Sequence, residues 1–224
     1  MDDISSKPGR IVEFVGVQGV GKSELCSRII PENALSRKRV NSIYHRVAKK
    51  WWYQIFFPIF LCLGLRTLIG KSRFRQFGKI VAACATIKAA REDGRVVVLD
   101  EGVVRMICYC EQRGYINPQT ANSLLDTIGD IGLLPDVVVF LDAPTEVVAE
   151  RLASRNMPER YLDSRPVAEL RPLIEAMRAS CARLTARVGE ACYSKVVILD
   201  GTRPVDELVR LLESEQLFES AEDH

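Results

Sequence analysis

Eight residues, Gly16-Val17-Gln18-Gly19-Val20-Gly21-Lys22-Ser23, constrain this chain more than any other feature. They spell G-x-x-x-x-G-K-S between an apolar run, Arg10-Ile11-Val12-Glu13-Phe14-Val15, and a helix-forming run, Ser23-Glu24-Leu25-Cys26-Ser27-Arg28-Ile29-Ile30. Strand, glycine-rich turn and helix in that order curl successive backbone N–H groups inward around a phosphate. The helix N-terminus adds its partial positive charge to the same point. Lys22 is then expected to reach the β- and γ-phosphates, and the Ser23 hydroxyl to hold Mg²⁺. So read, the segment Gly16, Val17, Gln18, Gly19, Val20, Gly21, Lys22 and Ser23 cradles a nucleoside triphosphate.

The rest of the chain supplies a suitable frame. Strand-like runs fall at 11–15, 40–45, 95–99, 136–141 and 195–199, most of them β-branched or apolar, as strands covered on both faces require. Helical stretches at 78–91, 120–130, 144–154, 167–188 and 204–214 intervene, with Pro144 and Pro204 near helix starts, where a missing N–H costs least. This alternation predicts an α/β fold of three layers, α/β/α, around a central five-stranded parallel sheet. At 224 residues the chain suits one domain, 1–224, with a divergent insert at about 33–91.

Charge singles out that insert. Residues 33–91 hold thirteen Lys or Arg and no Asp or Glu, whereas 92–224 hold fourteen basic and twenty-four acidic residues. The seven cysteines are scattered and odd in number, and His45 and His224 are the only histidines. That pattern favours free thiols in a reducing cytosol over a zinc cluster or a disulfide framework. The N-terminus, Met1-Asp2-Asp3-Ile4, lacks the apolar run of a secretory signal, so a cytoplasmic location is expected.

Two further clusters suit phosphoryl transfer. The run Arg95-Val96-Val97-Val98-Leu99 ends in Asp100-Glu101, and acids at the C-terminal tip of a core strand lie beside the phosphate loop in this architecture. One acid would join Ser23 at Mg²⁺; the other would take a proton from, or orient, a phosphate acceptor. Arg105, one helical turn on, would face the same cleft. Arg151 and Arg155 share a helix face, and Arg160 follows the break Asn156-Met157-Pro158; guanidinium forks there would stabilise the migrating charge.

With these residues in view, the chain resembles the thymidylate kinase-like branch of nucleoside and nucleotide kinases. The resemblance rests on Phe14-Val15-Gly16, Leu99-Asp100-Glu101 and Pro135-Asp136-Val137-Val138-Val139-Phe140-Leu141-Asp142-Ala143-Pro144. It continues through Ala149-Glu150-Arg151-Leu152, Glu159-Arg160-Tyr161 and Val197-Ile198-Leu199-Asp200-Gly201-Thr202-Arg203-Pro204. It implies a P-loop NTPase fold and an ATP- and Mg²⁺-dependent kinase. It also implies an arginine-containing lid at about 151–165, carrying Arg151, Arg155 and Arg160, that closes over ATP. Gly201, Thr202 and Arg203 would lie near adenine, and Arg46 and Arg113 on the acceptor side. Two departures fall on that acceptor side: Val47 replaces the acid of an Arg-Glu-Pro-like motif, and Glu101 stands where the family carries arginine.

The run 51–65 is uncharged, holds two tryptophans and is flanked by basic residues. It is too short to span a bilayer. It reads either as a buried helix or as an interfacial segment, 46–75, at an anionic membrane surface. A peripheral location at the inner face of a membrane and a lipid-linked acceptor go with the second reading. A nucleoside monophosphate-like or sugar acceptor goes with the first. A catalytically weak ATP-binding module docking through 33–91 is the rival to an active kinase. No nucleic-acid-reading motif is present, and a homodimer is left open.

Overall fold

The computed structural model describes residues 9–29, 59, 71–154, 167–192, 194–215 and 217. Strand β1 (Ile11–Val15) lies at the centre, with all five residues buried. It pairs in parallel with β2 (Val97–Leu99) on one side and β3 (Val137–Asp142) on the other, and β4 (Lys195–Asp200) adds to β3. The order is β2-β1-β3-β4. Registers of Ile11 with Val97, Val12 with Val137 and Val137 with Lys195 bring all four C-terminal tips to one edge. Ligands of open parallel sheets bind along such an edge.

Seven helices are described: α1 (Lys22–Ile29), α2 (Lys71–Glu92), α3 (Val103–Gln112), α4 (Pro118–Asp130), α5 (Thr145–Ala153), α6 (Val167–Cys192) and α7 (Val205–Ser214). Side-chain alternation along β1 divides the core in two. Ile11 and Val15 join Ile80, Cys84, Ile87, Ile107 and Leu124 on one face of the sheet. Val12 and Phe14 join Leu25, Val148, Leu152, Ile174 and Leu208 on the other. The three layers expected from the alternating pattern are therefore present.

Four of the five expected strands are described; the fifth, 40–45, lies outside the described residues. Helix α2 starts at Lys71 rather than at 78, because Phe77 already sits on the stripe that buries Ile80, Val81 and Cys84, and a Cβ at Gly78 would meet nothing. Helix α4 starts two residues earlier than its apolar pattern suggests. Asn117 Oδ1 accepts from Thr120 N at 2.8 Å, and Pro118 occupies the first turn. Asp136 fixes the start of the sheet by accepting from Ile11 N (2.7 Å) and from Arg91 of α2 (2.7 Å).

Of the apolar run 51–65 only Ile59 is described. It is 1% exposed and belongs to the cluster that holds Phe77 and Ile80, which favours the buried-core reading of that run at this position. Among the described residues no helix is long and apolar enough to cross a membrane. Five of the cysteines (26, 84, 108, 110 and 181) are buried free thiols, as expected.

Candidate active site

The loop after β1 adopts a shape that side chains would prevent. Gly16 has φ +149°, and a Cβ there would lie 2.4 Å from the Leu141 carbonyl oxygen. Lys22 opens α1 and turns back over the loop, its Nζ donating to the carbonyls of Gly16 (2.8 Å) and Val17 (2.7 Å). Burial pulls its ammonium down to about 8, and the Arg105 guanidinium nearby pushes the same way. Ser23 Oγ donates to Asp100 Oδ2 at 2.9 Å, joining the loop to the residue after β2. A hydroxyl and a carboxylate at one point are hard oxygen donors of the kind Mg²⁺ takes alongside phosphate and water. Among the described residues no cluster of three or more His, Cys, Asp or Glu could hold a metal by itself.

A cleft of about 420 Å³ opens in front of these groups. Lys22, Ser23, Asp100 and Glu101 line it from the segments that follow β1 and β2, and Arg75, Gln76 and Lys79 of α2 and Arg105 of α3 line it from the helices. A second pocket of about 280 Å³ lies across the loop, between Arg151, Gly201 and Arg203. Arg151 Nη1 donates to Val20 O (3.1 Å) and Gly201 O (2.9 Å), so it ties the phosphate loop to the turn after β4. In that turn Asp200 Oδ1 accepts from both N (2.9 Å) and Oγ1 (2.6 Å) of Thr202, and these bonds hold the Asp200 carboxyl below its usual range. Arg203 pairs with Glu207 at 2.6 Å. Arg113 sits off the main cleft, donating to Tyr109 Oη at 3.0 Å and lying over that ring. Arg46, Arg155 and Arg160 lie outside the described residues.

Several participants escaped sequence reasoning. Glu13, fully buried in β1, accepts from the backbone N–H of Arg105 (2.8 Å) and Val104 (3.2 Å) and so caps α3 from a distant strand. A Cβ at Gly102 would lie 2.3 Å from its carboxyl carbon, so a glycine is needed where α3 begins. Burial pushes the Glu13 carboxyl up to about 7, against the opposing pull of those N–H groups. A lone acid in an apolar strand was the available signal. Arg178 of α6 grips Asp142 at the tip of β3 through two bonds (2.8 and 2.7 Å); that pairing has no local sequence signal.

No family model matches the chain. It is 25% identical over 201 residues to a thymidylate kinase of Fervidobacterium nodosum, covering 89% of this chain and 94% of that one. It is 30% identical over 184 residues to a thymidylate kinase of Nitrobacter winogradskyi, covering 79% and 78%. The chain belongs to the thymidylate kinase family. It is accordingly a P-loop kinase. A solved structure of deoxyadenosine kinase from M. mycoides, with the products dCMP and dCDP bound, superposes with a TM-score of 0.55 at 13% identity over 92% of this chain and 97% of the other. The same enzyme with dATP bound gives 0.50 over 91% and 97%. At that identity the likeness shows the shared fold: a parallel sheet with helices packed around a phosphate loop. Within this fold Ser23 and Asp100, 77 residues apart, meet at the mouth of the loop.

Proposed function

We propose that this member of the thymidylate kinase family moves the γ-phosphoryl group of ATP, with Mg²⁺, to a nucleoside monophosphate-like acceptor held between α2 and α3. The observation that carries this reading is a single cleft with two unlike walls. One wall is the Lys22–Ser23–Asp100 set, and the other is the cationic set Arg75, Lys79 and Arg105. The first wall suits the β- and γ-phosphates and a hard cation; the second suits an acceptor that is itself anionic.

In this reading the loop amides and Lys22 hold the triphosphate in place, at no reorganisation cost when the charge develops. Ser23 and Asp100 would hold Mg²⁺, which when bound supplies positive charge to the phosphate oxygens. Glu101, at the cleft wall, accepts a proton from the acceptor or fixes its orientation. Gly201 and Arg203 border the pocket that would take adenine, and Thr202 lies between them in the same turn. Arg151 contributes by holding loop and turn in register, and Arg155 and Arg160 complete the lid assigned to them by family resemblance.

The curated relatives are thymidylate kinases, which makes dTMP the first acceptor to test. The decisive measurement is ATP turnover by the full chain with dTMP, dUMP, dCMP and dAMP, each beside its unphosphorylated nucleoside. Turnover with a monophosphate and none with the matching nucleoside is expected. Turnover with nucleosides alone would refute the anionic acceptor, and no turnover with any of them would count heavily against this reading.

A further inference from the structure

Helix α3 begins without a cap of its own. Its N-cap residue, Gly102, has an extended backbone (φ −91°, ψ −161°) and no side chain to accept from the first free N–H groups. Serine, threonine, aspartate or asparagine ordinarily supplies that oxygen, bonding the second or third N–H of the helix. Here those are the N–H groups of Val104 and Arg105, and both donate to Glu13, 91 and 92 residues away in β1. At φ −91° any residue is tolerated, so backbone conformation does not demand a glycine at 102. The Glu13 carboxyl does. A Cβ at 102 would lie 2.3 Å from its carbon and 2.4 Å from Oε2.

A strand acid is a costly replacement for a local cap. Glu13 is 0% exposed, and burial pushes its carboxyl up to about 7. A serine at 102 would cap the helix without burying an ionisable group. What the strand acid adds is attachment. Residue 13 also pairs through its backbone register with Leu99, in the parallel ladder of β1 and β2. The turn Asp100-Glu101-Gly102 therefore lies between two attachments to one residue of β1. The ladder at Leu99 precedes it, and the carboxylate at Val104 and Arg105 follows it. Two residues beyond Glu13, β1 ends and the phosphate loop begins. The acids after β2 are thus registered against the loop that carries Lys22 and Ser23, and Ser23 Oγ meets Asp100 Oδ2 at 2.9 Å.

We infer that Glu13 is a positioning residue for phosphoryl transfer: its carboxylate, matched to the missing side chain of Gly102, holds Asp100 and Glu101 in register with Lys22 and Ser23. Glu13 does not line the cleft and acts through the turn. The inference rests on the kinase reading and deepens it.

The test uses the full chain and two readouts. One is kcat with the monophosphate that the parent turns over fastest. The other is calorimetric affinity for AMP-PNP with Mg²⁺ and again with EDTA, whose ratio reads the Ser23–Asp100 pair without turnover. Glu13→Gln keeps the size of the side chain but leaves one accepting oxygen for two N–H groups. It should lower kcat at least about tenfold and the Mg²⁺ ratio at least about threefold, since a misplacement of about 1 Å can cost about a hundredfold. AMP-PNP affinity in EDTA should be unchanged.

Glu13→Ala combined with Gly102→Ser separates positioning from capping. The serine fits once the carboxyl is gone, and its hydroxyl can accept from the Val104 or Arg105 N–H. The melting temperature should return close to the parent's while kcat and the Mg²⁺ ratio stay low, because the tether to β1 is not restored. Parent-like kcat and Mg²⁺ ratio in either variant overturn the inference and leave Glu13 a helix cap alone. A fall in kcat with an unchanged Mg²⁺ ratio upholds it and assigns the displaced group as Glu101 rather than Asp100. Should Glu13→Gln fail to fold, the double variant decides alone. A parent that neither binds AMP-PNP nor turns over any monophosphate would instead strike at the kinase reading, so the two proposals fail separately.

Discussion

The two walls of the cleft are built on opposite principles. The donor wall is made of short segments that directly follow β1 and β2, and its groups are already engaged. Lys22 bonds two loop carbonyls and Ser23 bonds Asp100, while Arg151 of α5, outside the cleft, locks the loop to the turn after β4. The acceptor wall is made of side chains from α2 and α3. Of these, Gln76 and Arg105 each carry one buried side-chain atom, Oε1 and Nη1, without a hydrogen-bond partner among the described residues. A triphosphate is gripped largely by backbone amides, so one loop shape serves every acceptor. On the proposed reading an acceptor is chosen by side chains. On that reading the donor wall encodes the reaction and the acceptor wall the specificity.

The largest effect expected from this contrast is at Lys22. Lys22→Ala removes the ammonium from the phosphates and should lower turnover by at least about 10²–10³, the range for losing one preorganised donor. The melting temperature should stay near that of the parent. Turnover close to the parent level would erase the distinction between the walls. Glu101→Gln comes next, with a fall in turnover of about 10²–10⁴ and little change in ATP affinity, because general-base or acceptor-orienting charge is lost while shape is kept. An unchanged rate, alongside inactivity of Asp100→Asn, would move Glu101's role onto Asp100.

The same contrast explains what was legible in the sequence. The G-x-x-x-x-G-K-S loop, its flanking strand and helix, and the acids after Leu99 are contiguous, and local backbone physics determines their shape. Four strands and the helix order follow from apolar periodicity. Arg75 and Lys79 escaped notice because they sat in a stretch where thirteen basic residues look alike; their role depends on which face of α2 meets the cleft. Gln112 and Ser180 are 68 positions apart and share a cavity only through the packing of α3 on α6. The Glu13–Gly102 contact spans a strand and a distant helix start, and only the fold discloses it.

Glu13 links the walls, since it holds the start of α3 directly after Asp100 and Glu101. Its folded carboxyl titrates at about 7 against an ordinary value of 4.5. Between those values the folded state binds more protons than the unfolded chain, so stability falls as pH rises through the window. The contribution is complete below about pH 4.5 and gone above about pH 7, with an upper bound of about 3 kcal/mol. Gln cannot titrate. The stability of the parent relative to Glu13→Gln should therefore decline between pH 5 and 8 in chemical denaturation. A difference that stays flat with pH would mean the carboxyl is charged throughout, and the burial argument would fall.

The smallest expected effect is the one that most sharpens the contrast. Arg75 and Lys79 are solvent-exposed at the cleft rim, where a single ion pair contributes about 1 kcal/mol or less. Arg75→Ala and Lys79→Ala should each raise the KM for a monophosphate acceptor by no more than about fivefold, and the pair by about tenfold. The kcat and the KM for ATP should hardly move, because neither side chain borders the pocket between Arg151, Gly201 and Arg203 proposed for adenine. The effect should shrink as salt rises from 0.1 M, where the Debye length is about 10 Å, toward 1 M, where it is about 3 Å. Turnover of the matching neutral nucleoside, if any, should be indifferent to both substitutions. If the double substitution raises the ATP KM instead, these cations serve the triphosphate, and the division of the cleft into a donor and an acceptor wall is drawn in the wrong place.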